Sequence, residues 1–410
     1  MLYDVVVVGG GPAGCFTAAE VAREGFKVLV LEEHKKIGEP VQCAGLVSPR
    51  TLNLVSAPQS LVIKEYRGAR ILSPLGGDLL INGDRVYAQA VDRGAFDRYL
   101  AGLASDAGAE IMTGCSVTGV DRRQDGFTVT VNSNSKRERI RCRLLIGADG
   151  VNSRVAKWLG LEPVKNKIYM YAGEFELSHE NPPELTVLLG QTFAPGWFGW
   201  VIPLEGRAAR VGVGGMHRDK SPRQYLKGMI DKFPSIFKNF RELEYTGGAV
   251  PFGIMRKIYS SNALLVGDAA AQTKPISGGG IYTGLRGALI CSRVAVRSLR
   301  EENLGEKFLS EYQHLWDREF HSEFQSGLRH RETYSSMADD EVESLIQFLD
   351  RPYWRRLIAG HGDIDYPSWL ARRLFKAGPW VQKFAVAAIG FVNCGKNLKR
   401  AAQPGNALPF

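Results

Sequence analysis

The stretch of sequence that decides the fold lies near the N-terminus and reads Asp4-Val5-Val6-Val7-Val8-Gly9-Gly10-Gly11-Pro12-Ala13-Gly14. Its apolar run is typical of a buried parallel strand. The glycines allow the backbone to turn tightly and to approach a pyrophosphate, and a helix that opens at Gly14 directs its free N–H groups at that anion. The stretch therefore predicts a dinucleotide site, with Gly9, Gly11, Pro12, Ala13 and Gly14 against the ligand.

A second apolar strand, Val28-Leu29-Val30-Leu31, ends in an acid at the spacing that such sites require. Glu32 is placed to accept hydrogen bonds from the ribose hydroxyls, and Glu33 follows it in the predicted cofactor set. A carboxylate here suits a free 2′-hydroxyl and repels a 2′-phosphate, which favours FAD or NAD. An ordinary βαβ turn that binds nothing is the alternative, but it does not require an acid in register with strand, loop and helix.

Size and composition are those of a folded protein without metal centres. The chain has 410 residues, of which 44% are hydrophobic, and we expect about two intimately connected domains. The six cysteines form no C-x-x-C pair and the histidines show no metal-ligand spacing, so neither zinc nor an iron–sulfur cluster is predicted. A first strand that begins at residue 2 leaves no room for a signal peptide, and we expect a reducing, cytoplasmic setting.

The formal net charge of +9 admits nucleic acid, anionic lipid or an acidic small molecule as a partner. Basic and bulky apolar residues alternate towards the C-terminus, in Arg351-Pro352-Tyr353-Trp354-Arg355-Arg356 and in Arg372-Arg373-Leu374-Phe375-Lys376. This mixture favours peripheral contact with a membrane over binding of nucleic acid; a solvated helix face over a core stripe is the alternative. Residues 384–392 are too few to span a bilayer, which takes about 20 apolar residues.

Two further strand-to-glycine turns occur far along the chain. Leu144-Leu145-Ile146 leads into Asp149-Gly150, and Ala263-Leu264-Leu265-Val266 leads into Gly267-Asp268. Ligands of open α/β sheets sit at the carboxyl ends of the strands. These turns and the first glycine loop are therefore predicted to line one crevice.

With these three turns the chain resembles the FAD-dependent family that includes glutathione reductase and, more closely, the aromatic hydroxylases of the para-hydroxybenzoate hydroxylase fold. The resemblance implies FAD as cofactor, with Asp268 on its ribityl chain; a cap of the following helix is a compatible role for Asp268. It extends to Val91-Asp92-Arg93-Gly94-Ala95-Phe96-Asp97, where Arg93 resembles an FAD-contacting arginine. Ala156 departs from the pattern, because an arginine is common at its place in the family.

Ser277-Gly278-Gly279-Gly280 precedes a predicted helix that begins near Ile281. The N-terminus of this helix would direct backbone N–H groups at the pyrimidine ring of the flavin, and the helix dipole would stabilise the reduced, anionic ring. Glycines needed only for close packing are the alternative.

The resulting fold prediction is an α/β protein with a Rossmann-like FAD-binding domain, an antiparallel-sheet substrate domain and a helical C-terminal region. We assign residues 1–165 to the FAD-binding domain, with residues 45–92 contributing in part to the substrate domain. Residues 166–255 form the substrate sheet, residues 256–300 return to the FAD-binding domain, and residues 301–410 are helical.

Two segments narrow the resemblance to the geranylgeranyl reductases, flavoenzymes that saturate prenyl double bonds. Val41-Gln42-Cys43-Ala44-Gly45-Leu46-Val47-Ser48 looks like their cysteine-containing loop, and Pro195-Gly196-Trp197-Phe198-Gly199-Trp200-Val201-Ile202-Pro203 is similar to their Y-x-W-x-F-P signature, with Phe198 in place of Tyr. Tyr282 stands where hydroxylases usually have Asn. The second segment also resembles the W-x-W-x-I-P signature of flavin-dependent halogenases, but the first Trp of that signature falls on Phe198.

The family chemistry implies a hydride from flavin N5 and a proton donor beside a dry apolar slot. Cys43 is the candidate donor or substrate-positioning group, with Ala44 beside it in the predicted cofactor set; a small buried hydrophobe is the alternative for this cysteine. The residues predicted to line the slot are Phe198, Trp200, Ile202 and Pro203. The alternative for the aromatic residues is that they only fill the core of the sheet.

No second dinucleotide motif is present. Either NAD(P)H binds at a site that lacks such a motif, or ferredoxin or another donor supplies the electrons. The predicted function is an FAD-dependent prenyl reductase acting on a lipid, quinone or related isoprenoid. The rivals are an aromatic monooxygenase, a relative of the electron-transfer flavoprotein:quinone reductases, and a prenyl-binding chaperone of this fold without flavin.

Overall fold

The computed structural model describes residues 2–133, 136–177, 184–216, 220–368 and 370. In this part of the chain the strands are β1 (Leu2–Val8), β2 (Val28–Leu31), β3 (Leu46–Val47), β4 (Val62–Tyr66), β5 (Gly68–Leu72), β6 (Asp78–Asn82), β7 (Ala88–Val91), β8 (Glu110–Met112), β9 (Cys115–Arg123), β10 (Gly126–Ser133), β11 (Lys136–Gly147), β12 (Lys167–Glu176), β13 (Leu185–Leu189), β14 (Phe198–Pro203), β15 (Ala208–Gly215), β16 (Arg241–Pro251), β17 (Tyr259–Ser260) and β18 (Ala263–Leu265).

The helices of the same part are α1 (Pro12–Arg23), α2 (Pro49–Leu54), α3 (Arg93–Asp106), α4 (Arg154–Trp158), α5 (Pro222–Lys232), α6 (Pro234–Phe237), α7 (Ile281–Arg300), α8 (Glu306–Ser335), α9 (Asp339–Leu349) and α10 (Pro352–His361). Short 3₁₀ turns cover Gln59–Leu61 and Gly267–Ala270.

The first sheet has a parallel centre in the order β18-β11-β1-β2-β8. Its strands end together, since Val8 pairs with both Leu31 and Gly147, and Gly147 pairs with Leu265. This register brings the three predicted glycine turns to one edge of the sheet. Apart from Leu2, the apolar side chains of β1 and β2 are buried, because α1, α3 and α7 pack beside them in one core.

The second sheet runs in the order β16-β12-β15-β14-β13-β5-β6. One of its faces, which carries Val201 and Val211, packs on α5. The other face carries Phe198, Trp200 and Ile202 and packs against α9 and α10. The small sheet β3-β7-β4 contributes to two cores, with Val47 and Val91 in that of the first sheet and Tyr66 and Ala90 in that of the second.

The predicted α/β architecture is present, with three differences in detail. β5 pairs parallel with β13, so the substrate sheet is not wholly antiparallel; such a pair joins segments distant in sequence and leaves no local signal. β16 escaped detection, because its side chains are mostly exposed and carry no clear alternation. The strand predicted at residues 144–146 is the end of a longer strand, β11, which begins at Lys136. The proposed domain boundaries stay a prediction.

The predicted helical C-terminal region is present: within the described residues four helices, α7–α10, follow residue 280. In the basic segment at residues 351–356, Trp354 is buried in the core while Tyr353 is 64% exposed. Among the described helices, none combines the length and apolar character needed to cross a membrane. The predicted basic segment at residues 372–376 and the apolar run at residues 384–392 lie outside the described residues.

Candidate active site

The first glycine loop is held in its shape by close backbone contacts. Gly9 has a φ of +107°, and a Cβ on it would collide with the carbonyl oxygen of Ala148. A Cβ on Gly14 would likewise collide with the carbonyl oxygen of Gly9. Gly11 instead faces open space, because a Cβ on it would have no atom within 4 Å beyond its own chain neighbours. No side chain among the described residues caps the N-terminus of α1, so its N–H groups are available to an anion.

Glu32 lies at the end of β2 with its carboxylate turned towards this loop. It is 9% exposed, and its Oε2 accepts a hydrogen bond from the Gly10 N–H at 2.7 Å. Its Oε1 accepts from the His34 N–H at 2.9 Å and lies 2.6 Å from His34 Nδ1. His34 escaped the sequence reasoning, because a lone histidine after a strand carries no motif. Glu33 is exposed.

Asp149 uses its carboxylate to hold the start of α4. It accepts hydrogen bonds from the Ser153 hydroxyl at 2.6 Å and from the backbone N–H groups of Arg154 and Val155 at 2.7 and 3.0 Å. Gly150 turns the chain with a φ of +75° and open space around it. A role of this turn in cofactor binding stays a prediction, and it would be exercised by the backbone.

Asp268 lies in the 3₁₀ turn that follows β18, close to the starts of α1 and α7. A Cβ on Gly267 would be 3.0 Å from the Ala13 side chain, and a Cβ on Gly280 would be 3.1 Å from Asp268 Oδ1. Burial raises the pKa of the Asp268 carboxyl to about 6, and the positive charge of Arg93 acts in the opposite direction. The carboxyl therefore stands between the starts of α1 and α7, within the field of Arg93.

Arg93 connects several residues that sequence reasoning selected separately. Its guanidinium donates to Asp97 Oδ1 at 2.7 Å and lies within hydrogen-bonding reach of the Cys43 sulfur. Burial alone would lower the pKa of Arg93, but the neighbouring Cys43 and Asp97 raise it above its ordinary value. Arg93 thus brings together the predicted thiol and the predicted ribityl carboxylate.

The loop around Cys43 is held in place by hydrogen bonds from a residue of the substrate sheet. Cys43 is partly buried, and its sulfur accepts from the Gly45 N–H at 3.4 Å. Arg210 of β15 donates to the carbonyl oxygens of Ala44 and Val91 at 3.1 and 2.9 Å, and pairs with Glu174 at 3.1 Å. Arg210 was missed, although a single arginine inside an apolar strand was a usable signal.

Residues 274–280, which we call the α7 loop, precede the N-terminus of α7. A Cβ on Gly278 would be 3.1 Å from the Trp197 ring, and one on Gly279 would be 3.1 Å from Lys274 Nζ. Gly280 is the N-cap residue, and no described side chain caps the helix before Ile281. Lys274 is buried and pairs with Asp365 at 3.0 Å, a contact that sequence reasoning did not foresee.

A row of aromatic residues extends from Trp197, which packs against the α7 loop, along β14. Trp197 stacks on Phe198 with ring centroids 4.8 Å apart, and Phe198 meets Trp200 at 5.9 Å. Phe198, Trp200 and Ile202 share a cluster with Ala44 and Leu46 of the Cys43 loop. Pro203 is buried, and its carbonyl oxygen accepts from Tyr66. The face of β14 therefore joins the α7 loop to the cysteine loop.

These features fit FAD. The close-packed Gly9 and Gly14, the open space at Gly11 and the uncapped start of α1 suit a pyrophosphate. Glu32 suits a ribose, and the carboxyl of Asp268 with the uncapped start of α7 suits the flavin end. Among the described residues, no group of three His, Cys, Asp or Glu side chains is disposed to hold a metal ion.

Family models and relatives agree with this assignment. Residues 77–314 match an FAD binding domain and residues 4–61 match the FAD dependent oxidoreductase family. The chain is 32% identical over 356 residues to the digeranylgeranylglycerophospholipid reductase of Methanocaldococcus jannaschii, covering 85% of this chain and 90% of that one. It is 33% identical to reductase 1 of the same name from Methanococcoides burtonii, covering 84% and 86%.

Among solved structures, a geranylgeranyl bacteriochlorophyll reductase-like protein from Thermoplasma acidophilum matches with a TM-score of 0.80 and 26% identity, over 85% of this chain and 92% of that one. A p-nitrophenol 4-monooxygenase from Pseudomonas putida matches with a TM-score of 0.71 at 17% identity, over 87% and 96% of the two chains. The latter likeness concerns the fold alone.

Proposed function

The chain belongs to the geranylgeranyl reductase family of FAD-dependent oxidoreductases, and we propose that it saturates carbon–carbon double bonds in a prenyl chain. This prenyl chain would be geranylgeranyl or a related isoprenoid, carried by a lipid or a quinone. The relatives that support this proposal are matched over most of their length.

The observation that carries the proposal is the buried aromatic and apolar cluster between the α7 loop and the loop that holds Cys43. Trp197 packs on Gly278 and stacks on Phe198, and Phe198 and Trp200 belong to the cluster that includes Ala44 and Leu46. An isoprenoid chain has no polar group to anchor, so it requires such a surface. The same surface excludes water from the reacting bond.

When bound, FAD supplies the hydride, and the protein must supply the proton that completes each saturation. We assign that proton to the Cys43 thiol, because a neutral thiol can stand in an apolar slot without the cost of a buried charge. The guanidinium of Arg93 lies beside the sulfur and would stabilise the thiolate that remains after the proton has left. Phe198 and Trp200 would hold the double bond against the reactive face.

We infer that the electrons come from NAD(P)H, ferredoxin or another donor that binds transiently to the surface of this basic protein, whose formal net charge is +9. We also infer peripheral contact with a membrane, because the substrate is amphiphilic and α10 presents Tyr353, Arg355 and Arg356 to solvent. The supporting argument is that cations and aromatic residues mixed on one surface suit phosphate headgroups.

The test uses the purified yellow protein reduced with dithionite under anaerobic conditions and mixed with a geranylgeranyl-bearing glycerophospholipid. We expect the lipid mass to rise by one pair of hydrogens for each double bond saturated. A lipid mass that stays constant with every prenyl substrate tried would overturn the proposal. An oxygen-dependent mass gain on an aromatic compound would favour a monooxygenase instead.

A further inference from the structure

Arg331 of α8 is a buried cation that meets no carboxylate among the residues described. It is 5% exposed, and its guanidinium donates to two backbone carbonyl oxygens, Pro275 O at 3.1 Å and Gly196 O at 2.9 Å. Its Nε has no hydrogen-bond partner in the described part of the chain. Buried charges are normally paired, so this arginine needs an explanation beyond packing.

Aromatic rings replace the missing counter-ion. The guanidinium carbon lies 4.4 Å from the centroid of the Trp197 ring and 4.1 Å from that of Phe252. Such contacts stabilise a cation without neutralising it. Burial lowers the pKa of Arg331 to about 9, so the side chain still carries its full positive charge at neutral pH.

Arg331 lies directly behind the α7 loop. It binds the carbonyl oxygen of Pro275, a residue of this loop, and one turn earlier on α8 a Cβ on Gly327 would be 3.3 Å from the Pro275 ring. The Trp197 ring under the guanidinium also packs on Gly278. The guanidinium therefore contacts the loop directly at Pro275 and, through the Trp197 ring, at Gly278.

A second buried cation, which belongs to the α7 loop itself, has the opposite arrangement. Lys274 is 8% exposed and pairs with Asp365, which is 1% exposed, at 3.0 Å. That pair has no net charge, whereas Arg331 contributes a whole positive charge in a region of low dielectric. Of the two cations, Arg331 is the one whose field is uncompensated.

We propose that Arg331 makes the bound flavin easier to reduce by placing an unneutralised positive charge behind the α7 loop. The inference rests on the proposed function, because it takes the pyrimidine edge of the flavin to lie at this loop. The oxidised ring is neutral and the reduced ring is an anion on that edge, so a fixed cation favours the reduced state. Arg331 touches no reacting atom and acts through its field.

The experiment measures the midpoint potential of the FAD holoenzyme against a reference dye, for wild type, Arg331→Met and Arg331→Lys. Both substitutions lose the planar guanidinium and its fork, and Met also loses the charge. The potentials are measured at pH 6, because burial lowers the pKa of a lysine ammonium. We expect Arg331→Met to favour the oxidised flavin by roughly tenfold relative to Arg331→Lys, which is about 30 mV for a two-electron couple. Equal potentials for the two variants would overturn the proposal.

Arg300→Met is the matched control for net charge. Arg300 stands at the other end of α7, is exposed and pairs with Glu24. Its removal changes the net charge by the same amount, but solvent screens the effect, so we expect a midpoint potential equal to that of wild type. A shift as large as that of Arg331→Met would also contradict the proposal.

A second pair of variants decides the question should Arg331→Met fail to fold. The Ser335 hydroxyl donates to the Arg331 carbonyl oxygen at 2.8 Å and lies beside Gly196, which the guanidinium binds. Ser335→Glu would place a carboxylate next to the guanidinium, while Ser335→Gln has the same size without charge. We expect a lower midpoint potential for Ser335→Glu than for Ser335→Gln, and equal values would refute the field effect.

These measurements need no prenyl substrate. Failure of the protein to reduce any prenyl lipid would overturn the proposed function and leave the potentials of the variants to be judged separately. A protein that reduces prenyl lipids but shows equal potentials for Arg331→Met and Arg331→Lys would overturn this inference alone.

Discussion

At the scale of single residues, Cys43 is distinguished from the other described cysteines by its surroundings. Cys15, Cys115, Cys142 and Cys291 are buried, whereas Cys43 is partly exposed beside Arg93. Burial raises the pKa of the Cys142 thiol to about 12, so that thiol holds its proton. A proton donor is therefore expected at Cys43 rather than at a buried cysteine.

The Cys43→Ala substitution should lower the rate of prenyl saturation by about 10²- to 10⁴-fold, the usual contribution of a positioned proton donor. FAD affinity and the free energy of unfolding should change little. Single-turnover measurement of lipid saturation checks this, with Cys142→Ala as a control that removes a buried thiol from β11. Wild-type turnover in Cys43→Ala and Cys43→Ser would remove the proton-donor role.

Asp268 predicts a pH dependence of cofactor binding. Burial raises the pKa of its carboxyl to about 6, so the carboxylate that would accept from a ribityl hydroxyl is lost below that pH. FAD affinity should therefore fall as the pH decreases from 7 to 5. Fluorescence titration of the apoprotein with FAD measures this, and Asp268→Asn should bind more weakly at pH 7 with no such pH dependence. Equal pH profiles for the two proteins would argue against the assignment.

The same carboxyl affects the stability of the apoprotein with the opposite sign. Because its pKa is raised on folding, its favourable contribution is complete below the unfolded-state pKa and is lost as the pH rises through about 6. At pH 7 the apoprotein of Asp268→Asn should be more stable than wild type, by at most about 3 kcal/mol. Denaturant unfolding at pH 5 and 7 compares them, and a variant destabilised equally at both values would contradict this sign.

The candidate site residues were only partly predictable from sequence. Motif residues such as Glu32, Arg93 and Asp268 have fixed spacings to glycines and strands, so their types and positions marked them as candidates. The meeting of Arg93 with Cys43 depends on how distant loops pack, and no spacing encodes it. Arg331 and Lys274 lie outside every motif. They stand out only in the structure, where both are buried, Lys274 with a carboxylate partner and Arg331 with none among the described residues.

At the scale of elements, the first glycine loop and α1 allow folding and binding to be separated. A methyl group on Gly14 would collide with the Gly9 carbonyl oxygen, whereas one on Gly11 meets open space. Gly11 also has an ordinary φ of −73°. The two glycines are three residues apart, yet Gly14 is needed for packing, whereas Gly11 is predicted to be needed only for the ligand.

Gly11→Ala should keep the free energy of unfolding of the apoprotein within about 1 kcal/mol of wild type, because no contact is strained. Its FAD affinity should fall at least about tenfold, since the methyl group occupies the pyrophosphate space. Gly14→Ala should instead destabilise the apoprotein by about 1–3 kcal/mol. Thermal unfolding and FAD titration of both variants check this, and wild-type FAD affinity in Gly11→Ala would place the pyrophosphate elsewhere.

Elements with strong local signals were predicted well. Buried strands such as β1 and β18, and helices such as α7, which begins at the predicted Ile281, have composition and end signals that depend on few neighbours. β16 and the parallel pair of β5 with β13 depend on partners far along the chain. Their pairing is decided by tertiary packing, which propensity does not report.

At the scale of the whole molecule, Asp365 connects the C-terminal region to the cofactor side. Its carboxylate pairs with Lys274 of the α7 loop at 3.0 Å and accepts from the Ser48 hydroxyl at 2.6 Å, close to the Cys43 loop. Tyr366 beside it contacts Tyr282 of α7, with the hydroxyl oxygens 3.1 Å apart. The segment after α10 therefore ties together loops that are distant in sequence.

Asp365→Ala should destabilise the protein by about 3–5 kcal/mol, because it leaves the ammonium of Lys274 buried and unpaired. Removing both charges in Lys274→Met with Asp365→Leu should restore most of this loss. Denaturant unfolding measures both, with Asp78→Asn as a control that breaks the exposed pair with Arg70 and should cost at most about 1 kcal/mol. A double variant as unstable as Asp365→Ala would show that charge pairing is not what joins these segments.

The central claim, that electrons pass from the flavin of this protein to a prenyl double bond, is tested most directly by anaerobic stopped-flow absorbance. The reduced holoenzyme is mixed with a geranylgeranyl-bearing glycerophospholipid, and the return of the oxidised flavin spectrum is followed without oxygen. The account predicts reoxidation in step with saturation of the lipid, and none with the fully saturated lipid. A flavin that stays reduced with the lipid and becomes oxidised only when oxygen is admitted would contradict it.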